Sequence, residues 1–310
     1  MSDGALAVHA RGLSKRYGSR LAVAGIDLSI TRGECFGFLG PNGAGKTTTM
    51  RMLSCLTARD AGELLVLGHD PEREPRAVKR RLGVVAQQTT LDLELSVREN
   101  LVVWARYFDI TGQEARRRAD RMLEVMALTD RADEEVDGLS GGMQRRLQIG
   151  RALINDPELV LLDEPTTGLD PQARHAVWER LRDLRAAGAT LVLTTHYMDE
   201  AAQLCDRLVV IDHGRIVREG TPRGLVADEV GREVVELRVE ARWAPPRLEA
   251  GGDLVRAHPQ HGDLLVVYCD DAAALERALA ATEVAFHRQT ARAAGLEDVF
   301  LRLTGRGLRD

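Results

Sequence analysis

The segment of the sequence with the clearest chemical potential is a glycine-rich loop that ends in a lysine and two threonines. Its members are Gly40, Pro41, Asn42, Gly43, Ala44, Gly45, Lys46, Thr47 and Thr48. Glycines permit positive φ and close backbone approach, so successive N–H groups can surround a phosphate. Lys46 would place a positive charge on the outer phosphates, and the Thr47 hydroxyl is a ligand for Mg²⁺. A glycine-rich turn with an exposed lysine is the plainer interpretation, but the apolar run at 35–39 before the loop favours a phosphate site.

Two adjacent carboxylates follow a second apolar run. Residues 159–162 are all aliphatic, and Asp163 and Glu164 come directly after them. Such a run is typical of a central strand in a parallel sheet, and ligands bind at the carboxyl ends of these strands. We therefore predict that Asp163 helps to hold Mg²⁺ and that Glu164 orients or deprotonates an attacking water. Taken alone, the pair would be an ordinary polar start to a loop.

A third segment, Ser140-Gly141-Gly142, opens a helical tract. Serine caps helices well, and two glycines in the first turn let backbone N–H groups approach an anion at the positive end of the helix dipole. The segment therefore predicts a phosphate-binding tip. For these residues alone, a plain serine-capped helix is the alternative.

In this order along the chain, the motifs resemble those of the ATP-binding subunits of ABC transporters, over about residues 5–225. The resemblance implies an α/β fold, namely a P-loop ATPase domain with a mixed, parallel-core sheet, flanking helices, a β subdomain and a helical subdomain. It also implies that ATP and Mg²⁺ are bound. Each ATP would lie between Lys46 of one copy and Ser140 of another, in a head-to-tail homodimer.

The same resemblance implies roles for residues outside these motifs. Tyr17 matches an aromatic that stacks on adenine, and Gln87 matches a glutamine that touches Mg²⁺ and reports the nucleotide state to the permease. Asp170 matches the D-loop aspartate, and His196 matches a histidine that contacts the γ-phosphate. Ala86 stands where the family often has proline, a departure that concerns the rigidity of the loop and not its chemistry.

Three sets of residues make up the predicted site. The catalytic set is Gln87, Glu164 and His196. The metal-binding set is Thr47, Gln87 and Asp163. The nucleotide-binding set is Tyr17, the loop residues Gly40, Pro41, Asn42, Gly43, Ala44, Gly45, Lys46, Thr47 and Thr48, and in addition Ser140, Gly141, Gly142, Gln144 and Asp170.

A closer resemblance is to the ATPases of exporters for nodulation factors and anthracycline drugs. The segments that carry it are residues 33–37, 97–101, 153–157, 173–175 and 296–306. It implies export of an amphipathic or glycosylated small molecule through a separate ABC-2-type membrane permease, with the chain peripheral at the cytoplasmic face of the membrane. An importer ATPase remains the nearest alternative. A non-transport ABC ATPase is less favoured, since the sequence shows neither a second ATPase module nor a long coiled-coil insertion. A non-hydrolysing module is less favoured because four residues expected to bind or hydrolyse ATP are intact: Lys46, Asp163, Glu164 and His196.

Composition narrows the function class further. The chain has 310 residues, with 42 basic and 47 acidic side chains and a net charge of −5, so no nucleic-acid partner is expected because nucleic-acid binders usually carry a basic surface. No run approaches the roughly 18 apolar residues that span a bilayer, and the first residues do not form a secretion signal. The four cysteines lie far apart, which favours neither a zinc site nor a disulfide framework.

The predicted domains are residues 1–225, which contain the ATP-binding domain, and 226–310, a small accessory α+β domain. Within the first, residues 6–33 read as short β segments and about 88–138 as a helical subdomain. Ser96 and Glu99 form a capping-box pattern at the start of a helix. The helical spacing of Trp104, Tyr107 and Phe108 predicts one shared face, interpreted first as core and otherwise as a wall of the permease groove.

After Gly220 the sequence predicts a linker at residues 223–232. Strands are expected at 234–239, 264–268 and 284–286, and a helix at 272–281. A last helix would place an apolar stripe on one face, interpreted as packing within its own domain or as a contact surface. The stripe consists of Leu296, Val299, Phe300 and Leu303.

Overall fold

The largest sheet is six-stranded and mostly parallel. The computed structural model describes residues 6–239, 256–261, 264–280 and 286–305. This sheet and a second, three-stranded sheet are built from the strands β1 (Leu6–Tyr17), β2 (Arg20–Thr31), β3 (Cys35–Leu39), β4 (Ala61–Val66), β5 (Leu82–Val85), β6 (Leu159–Asp163), β7 (Thr190–Thr195), β8 (Arg207–Asp212) and β9 (Arg215–Gly220). The six-stranded sheet has the order β5-β6-β7-β3-β8-β9, and the pairs β5–β6, β6–β7, β7–β3 and β3–β8 are parallel.

The pattern of buried residues explains why β3 and β7 lie at the centre of the six-stranded sheet. β3 and β7 are buried at every position, as expected of central parallel strands that are covered on both faces. In the register of this sheet Leu39 lies beside Thr195, and Asp163 lies beside Thr194. The carboxyl ends of β3, β6 and β7 therefore meet at one edge, where the predicted catalytic residues begin.

A second sheet is antiparallel, with the order β2-β1-β4. The short β segments expected at the start of the chain are two strands of 12 residues each, and register shifts along β1 accommodate their length. Side chains of both sheets meet in one hydrophobic core, which includes Leu13, Ile30, Phe36 and Leu161.

The helices of the first part of the chain are α1 (Lys46–Leu53), α2 (Pro75–Lys79), α3 (Val97–Ala105), α4 (Gly112–Val125), α5 (Gly141–Ala152), α6 (Pro171–Ala186) and α7 (Met198–Leu204). The capping box at the start of α3 is confirmed: Glu99 N donates to Ser96 Oγ at 3.2 Å, and Ser96 N donates to Glu99 Oε2 at 2.9 Å. α3 packs on α4 and α5.

The interpretation of Trp104, Tyr107 and Phe108 as core is wrong. α3 ends at Ala105, and residues 106–108 form a 3₁₀ turn, so the three rings do not continue one α-helical face. Tyr107 is 76% exposed, and the other two side chains are half-buried. Trp104 and Tyr107 pack against each other, with ring centroids 5.2 Å apart.

The chain divides into two compact units, Met1–Val217 and Arg218–Asp310. The second contains α8 (Pro222–Glu229), β10 (Glu233–Val239), β11 (Arg256–His261), β12 (Leu264–Cys269), α9 (Ala272–Ala280), β13 (Phe286–Ala293) and α10 (Leu296–Thr304). Its strands form an antiparallel sheet with the order β11-β12-β10-β13, and α10 packs on α8.

The predicted linker at 223–232 is wrong, because most of it is α8. The helix is well specified: Thr221 Oγ1 accepts a hydrogen bond from Gly224 N at 3.0 Å, and proline occupies the first helical turn. The strand expected at 284–286 begins at Phe286, while residues 281, 284 and 285 lie outside the described residues. On α10, Leu296, Val299 and Phe300 are buried and Leu303 is half-buried.

Candidate active site

The glycine-rich loop connects β3 to α1 and lies tightly against neighbouring backbone. Gly45 has φ 110°, a conformation that other residues rarely adopt, and a β-carbon there would lie 2.5 Å from the Ala22 carbonyl oxygen. A β-carbon on Gly40 would lie 2.3 Å from the Ile211 carbonyl oxygen. Glycine is therefore required at both ends of the loop for steric reasons.

Lys46 extends along the inside of this loop. Its Nζ donates to the carbonyl oxygens of Gly40 at 2.5 Å and Pro41 at 3.0 Å, and the residue is only 4% exposed. Burial lowers the pKa of the ammonium group, while the nearby Glu164 and Asp163 carboxylates act in the opposite direction. The loop thus holds a lysine charge directly beneath the space that a phosphate would fill.

Asp163 joins the loop to the parallel sheet. Its Oδ1 accepts a hydrogen bond from Thr194 Oγ1 at 2.5 Å and another from Thr47 Oγ1 at 3.4 Å. Asp163 lies at the end of β6, Thr194 near the end of β7, and Thr47 in the first turn of α1. Three elements therefore place one hydroxyl and one carboxylate of the predicted metal-binding set next to each other.

Glu164 occupies a constrained position. Its backbone is left-handed, with φ 47°, and the residue is 7% exposed. Oε2 accepts hydrogen bonds from Gln87 Nε2 at 3.0 Å and from Thr167 Oγ1 at 3.1 Å. His196 Nδ1 lies 3.3 Å from Oε1. The His196 ring, above all, holds the pKa of Glu164 below its usual range, so this carboxylate is ionised at neutral pH.

Several of these groups line one cavity of about 440 Å³, whereas Asp163 and His196 lie behind its lining residues Thr47 and Glu164. Gln87 and Glu164 lie on its wall together with the loop, and Tyr17, which is 46% exposed, lies at its edge. The lining residues are Tyr17, Arg20, Ala22, Asn42, Gly43, Gly45, Lys46, Thr47, Thr48, Gln87 and Glu164. The size suits a small organic ligand, and the glycine-rich loop, for which a phosphate site is predicted, forms part of the wall.

Ser140 and Asp170 do not line this cavity, and each of them caps the N-terminus of a helix. Ser140 Oγ accepts from Met143 N at 3.3 Å and caps α5, while Asp170 Oδ1 accepts from Ala173 N at 2.9 Å and caps α6. A β-carbon on Gly142 would lie 2.7 Å from the Ala173 β-carbon, so the two helix N-termini are adjacent. Among the described residues, the predicted nucleotide site is therefore divided between a cavity and a separate pair of helix ends.

Gln144 has an intramolecular role that the sequence did not indicate. Its Nε2 donates to the carbonyl oxygens of Val136 at 3.2 Å and Leu139 at 3.3 Å. These bonds attach the first turn of α5 to the segment that precedes Ser140. The side chain thereby stabilises the approach to the helix tip.

Three residues of the site were not predicted. Thr194 supports Asp163, and Arg20 Nη2 donates to the Gly43 carbonyl oxygen at 2.7 Å. Arg145 is buried beneath the turn that contains Glu164, where it donates to the Glu164 carbonyl oxygen at 3.0 Å. Thr194 could have been predicted, because it is a polar residue at the end of a buried strand. The two arginines could not, because they bind backbone carbonyl groups, which every residue has.

The chain matches two family models. One is described as ABC transporter and covers residues 23–167, and the other, the C-terminal domain of the nodulation factor export protein NodI, covers residues 246–305. A curated relative, the Nod factor export ATP-binding protein I of Burkholderia orbicola, is 47% identical over 304 residues, which is 97% of each chain.

Solved structures of ATP-binding cassettes share the fold over about 70% of this chain. The structure of cbiO1 from Clostridium perfringens, part of the ABC transporter complex cbiONQ, has a TM-score of 0.67 and 26% identity, and covers 72% of this chain and 92% of its own. A dimeric ATP-binding cassette in a post-hydrolysis state, bound to ADP and Pi, has a TM-score of 0.62 and 29% identity, covering 69% of this chain and 98% of its own. Across the residues that the structure describes, no helix has the length and apolar character needed to cross a membrane.

Proposed function

This chain belongs to the ATP-binding subunits of ABC transporters, and from that premise we propose that it is the ATP-hydrolysing subunit of an exporter. The observation that carries the proposal is the arrangement around the cavity. A buried lysine, a threonine–aspartate pair and a glutamate held by glutamine and histidine all converge on one phosphate-binding loop. This is the set of groups that phosphoryl transfer to water requires.

The roles follow from position. Backbone N–H groups of the loop and Lys46 would bind the outer phosphates of ATP, and Tyr17 at the cavity edge would stack on adenine. The ionised Glu164 would orient the attacking water and accept its proton, while His196 would contact the γ-phosphate.

The donor set near Asp163 fits Mg²⁺. Carboxylate, hydroxyl and amide oxygens are the ligands that this ion prefers, and it usually takes one or two carboxylates together with substrate phosphates. Thr47, Asp163 and Gln87 would hold it, since Gln87 uses its amide nitrogen on Glu164 and its oxygen is the atom offered to a cation. When bound, Mg²⁺ neutralises charge that develops on the phosphate oxygens.

We propose that the working unit is a head-to-tail homodimer. Ser140, Gly141 and Gly142 lie at a helix tip outside the cavity lining, with Asp170 capping the adjacent helix. A second copy could place these tips over the nucleotide, where N–H groups and the helix dipole favour an anion. The dimeric post-hydrolysis cassette among the similar structures supports this arrangement.

The proposed partner is a separate membrane permease of the ABC-2 type, which would hold this chain at the cytoplasmic face of the membrane. Gln87 links the cavity to a neighbouring hollow that Leu56 and Val84 line with exposed apolar surface. Trp104 and Tyr107 add further accessible aromatic surface on the helical part of the unit. Such apolar surface supports a protein contact.

The proposed cargo is an amphipathic or glycosylated small molecule. Two observations support this class: the relative from Burkholderia is named for Nod factor export, and the second family model is that of a nodulation factor export protein. The relative matches nearly the full chain, and the family model matches part of the second unit. The two matches therefore extend beyond the ATPase motifs that all ABC transporters share, and they favour an exporter.

Hydrolysis by the purified chain tests the proposal. The parent should release phosphate from Mg²⁺–ATP, and Lys46→Ala should abolish release while the circular dichroism spectrum stays unchanged, because Lys46 contacts mostly loop carbonyl groups. Lys79→Ala is the matched control, since Lys79 is an exposed lysine on α2. Equal phosphate release by the parent and by Lys46→Ala would remove the basis for this function.

A further inference from the structure

Arg145 is a buried, positively charged residue beside the candidate site, and all of its donor nitrogens form hydrogen bonds. The residue lies on α5 and is 7% exposed. Its guanidinium group donates five hydrogen bonds: from Nε to Pro165 O at 2.6 Å, from Nη1 to Ala86 O at 2.6 Å and Gln148 Oε1 at 2.7 Å, and from Nη2 to Asp163 O at 3.1 Å and Glu164 O at 3.0 Å.

Four of these acceptors belong to the backbone on which the proposed catalytic residues are mounted. Three are consecutive carbonyl groups, those of Asp163, Glu164 and Pro165, at the turn where Glu164 adopts its left-handed conformation. The fourth is the carbonyl of Ala86, immediately before Gln87. One rigid group therefore fixes both backbones from which Gln87 and Glu164 reach each other.

The chemistry of arginine suits this task. The guanidinium group is planar and has its five N–H donors at fixed angles, so it can hold several carbonyl groups in one geometry. Burial lowers the pKa of Arg145 to about 10, and the Glu200, Asp163 and Glu164 carboxylates oppose that effect. The side chain is therefore charged at neutral pH, with every donor nitrogen engaged.

We propose that Arg145 is a positioning residue for ATP hydrolysis, which sets the separation of Glu164 and Gln87 around the reacting phosphate. The inference rests on the proposed function. In this proposal the buried face of α5 positions the catalytic residues of its own copy. The Ser140 tip of the same helix would instead bind the nucleotide of a second copy. A left-handed glutamate costs backbone energy, and the Arg145 bonds help to maintain it together with the bonds from Glu164 N to Thr194 O and Oγ1, both at 3.1 Å.

Arg146 provides a matched control on the next position of the helix. Its Nη1 donates to the carbonyl oxygens of Met126 at 2.9 Å and Ala127 at 3.1 Å, after the end of α4. It is therefore also an arginine that holds backbone carbonyl groups, but these lie in the helical part and away from Glu164. Arg146→Met should change neither kcat nor ATP affinity by more than about threefold.

The test measures kcat and ATP affinity separately in the full chain. Arg145→Met should lower kcat by about 100-fold, the cost of a small displacement of a catalytic group, with ATP affinity within about threefold of the parent. Arg145→Lys keeps the charge but not the planar fork, and should restore part of the rate. A merely structural arginine would reduce affinity, kcat and folded content together.

Gln148→Leu provides a second test of the proposal in case the Arg145 variants do not fold. It removes the side-chain oxygen that accepts from Arg145, and also the bond from Gln148 Nε2 to the Gln88 carbonyl oxygen at 2.8 Å, while the arginine stays in place. We expect kcat to fall about tenfold. Parent-like kcat in folded Arg145→Met, or parent-like kcat in Gln148→Leu when Arg145→Met does not fold, would overturn the proposal. If the parent chain itself releases no phosphate, the proposed function fails instead.

Discussion

Gln87 Nε2 donates to Glu164 Oε2 across 3.0 Å although 77 positions separate the two residues along the chain. The contact exists because β5 and β6 are adjacent parallel strands, so the residues that follow their carboxyl ends emerge side by side. Thr167 donates to the same oxygen, and His196 lies near the other one. Glu164 is thus held in place by neighbours before any nucleotide is considered.

We expect His196→Ala to lower kcat by about 100-fold and to leave ATP binding intact, because loss of one positioned contact to the reacting group typically costs about this much. The change should also move the acidic limb of the kcat–pH profile to higher pH. The reason is that His196 is the main cause of the low pKa of Glu164, so its removal lets that pKa rise toward the usual range and the carboxylate protonates sooner as pH falls. Steady-state phosphate release across the acidic range measures both effects.

The control for this experiment is His69→Ala, since His69 lies on a turn after β4 and its Nδ1 faces Glu74. That variant should keep the parent profile. A kcat–pH profile of His196→Ala that superimposes on the parent would show that the histidine does not influence Glu164.

Asp70 should contribute to stability in a pH-dependent way. The Arg59 side chain, mainly through hydrogen bonds of 2.7 Å and 3.1 Å, holds the pKa of Asp70 at about 2. A depressed pKa stabilises the fold above the usual aspartate pKa, and this contribution is lost as pH falls from about 4 toward 2. Asp70→Asn should therefore lower the free energy of unfolding by about 1 kcal/mol at neutral pH, a modest value because the pair lies near the surface.

The difference between parent and Asp70→Asn should be constant from neutral pH down to about 5 and should shrink below about 4. Urea unfolding at a series of pH values measures it. Asp130→Asn, at an exposed position, is the control and should change the free energy of unfolding little. A difference that grows as the solution is acidified would contradict the assigned direction.

The second unit contains an ion pair in which the carboxylate is buried and the Arg292 side chain is 44% exposed. Asp298 is 1% exposed, accepts two hydrogen bonds from Arg292 at 2.6 and 2.8 Å, and accepts another from Gly295 N at 2.9 Å. Asp298→Asn should lower the free energy of unfolding of this unit by about 2 kcal/mol, because hydrogen bonds to charged groups are the stronger class. Hydrogen exchange of amides in β13 and α10 measures the effect locally.

Glu297→Gln is the matched control for that prediction. Glu297 lies in the same first turn of α10 and is exposed, so its removal should cost only the interaction with the helix dipole, about 0.5 kcal/mol. Equal protection factors in the two variants would show that the buried position of Asp298 has no special effect.

Some of this structure follows directly from local sequence. Continuous apolar runs predicted the parallel strands β3 and β6, and the Ser96–Glu99 spacing predicted a capping box, because each depends on residues close together in the chain. α8 was missed because the change in composition after Gly220 was interpreted as a linker, although Pro222 is tolerated in the first turn of a helix.

Other features depend on long-range packing and leave no local pattern. Nothing near Trp104 indicated that α3 would end at Ala105 and continue as a 3₁₀ turn. The role of Arg145 depends on carbonyl groups up to 59 positions away, and a carbonyl is common to every residue. Long-range backbone acceptors therefore become visible only when the fold is known.

The most direct test of the central claim is the ATP-dependent oligomeric state of Glu164→Gln. The substitution keeps the shape of the side chain and removes the base, so ATP should bind, hydrolysis should be severely slowed, and a dimer with ATP enclosed between Lys46 and the Ser140 of a second copy should accumulate. Light scattering during gel filtration measures the mass, with Lys46→Ala in the same background as the control that should stay monomeric. A dimer that requires ATP and disappears in this control is the predicted result. A monomer at every ATP concentration, despite measured ATP binding, would contradict the shared site.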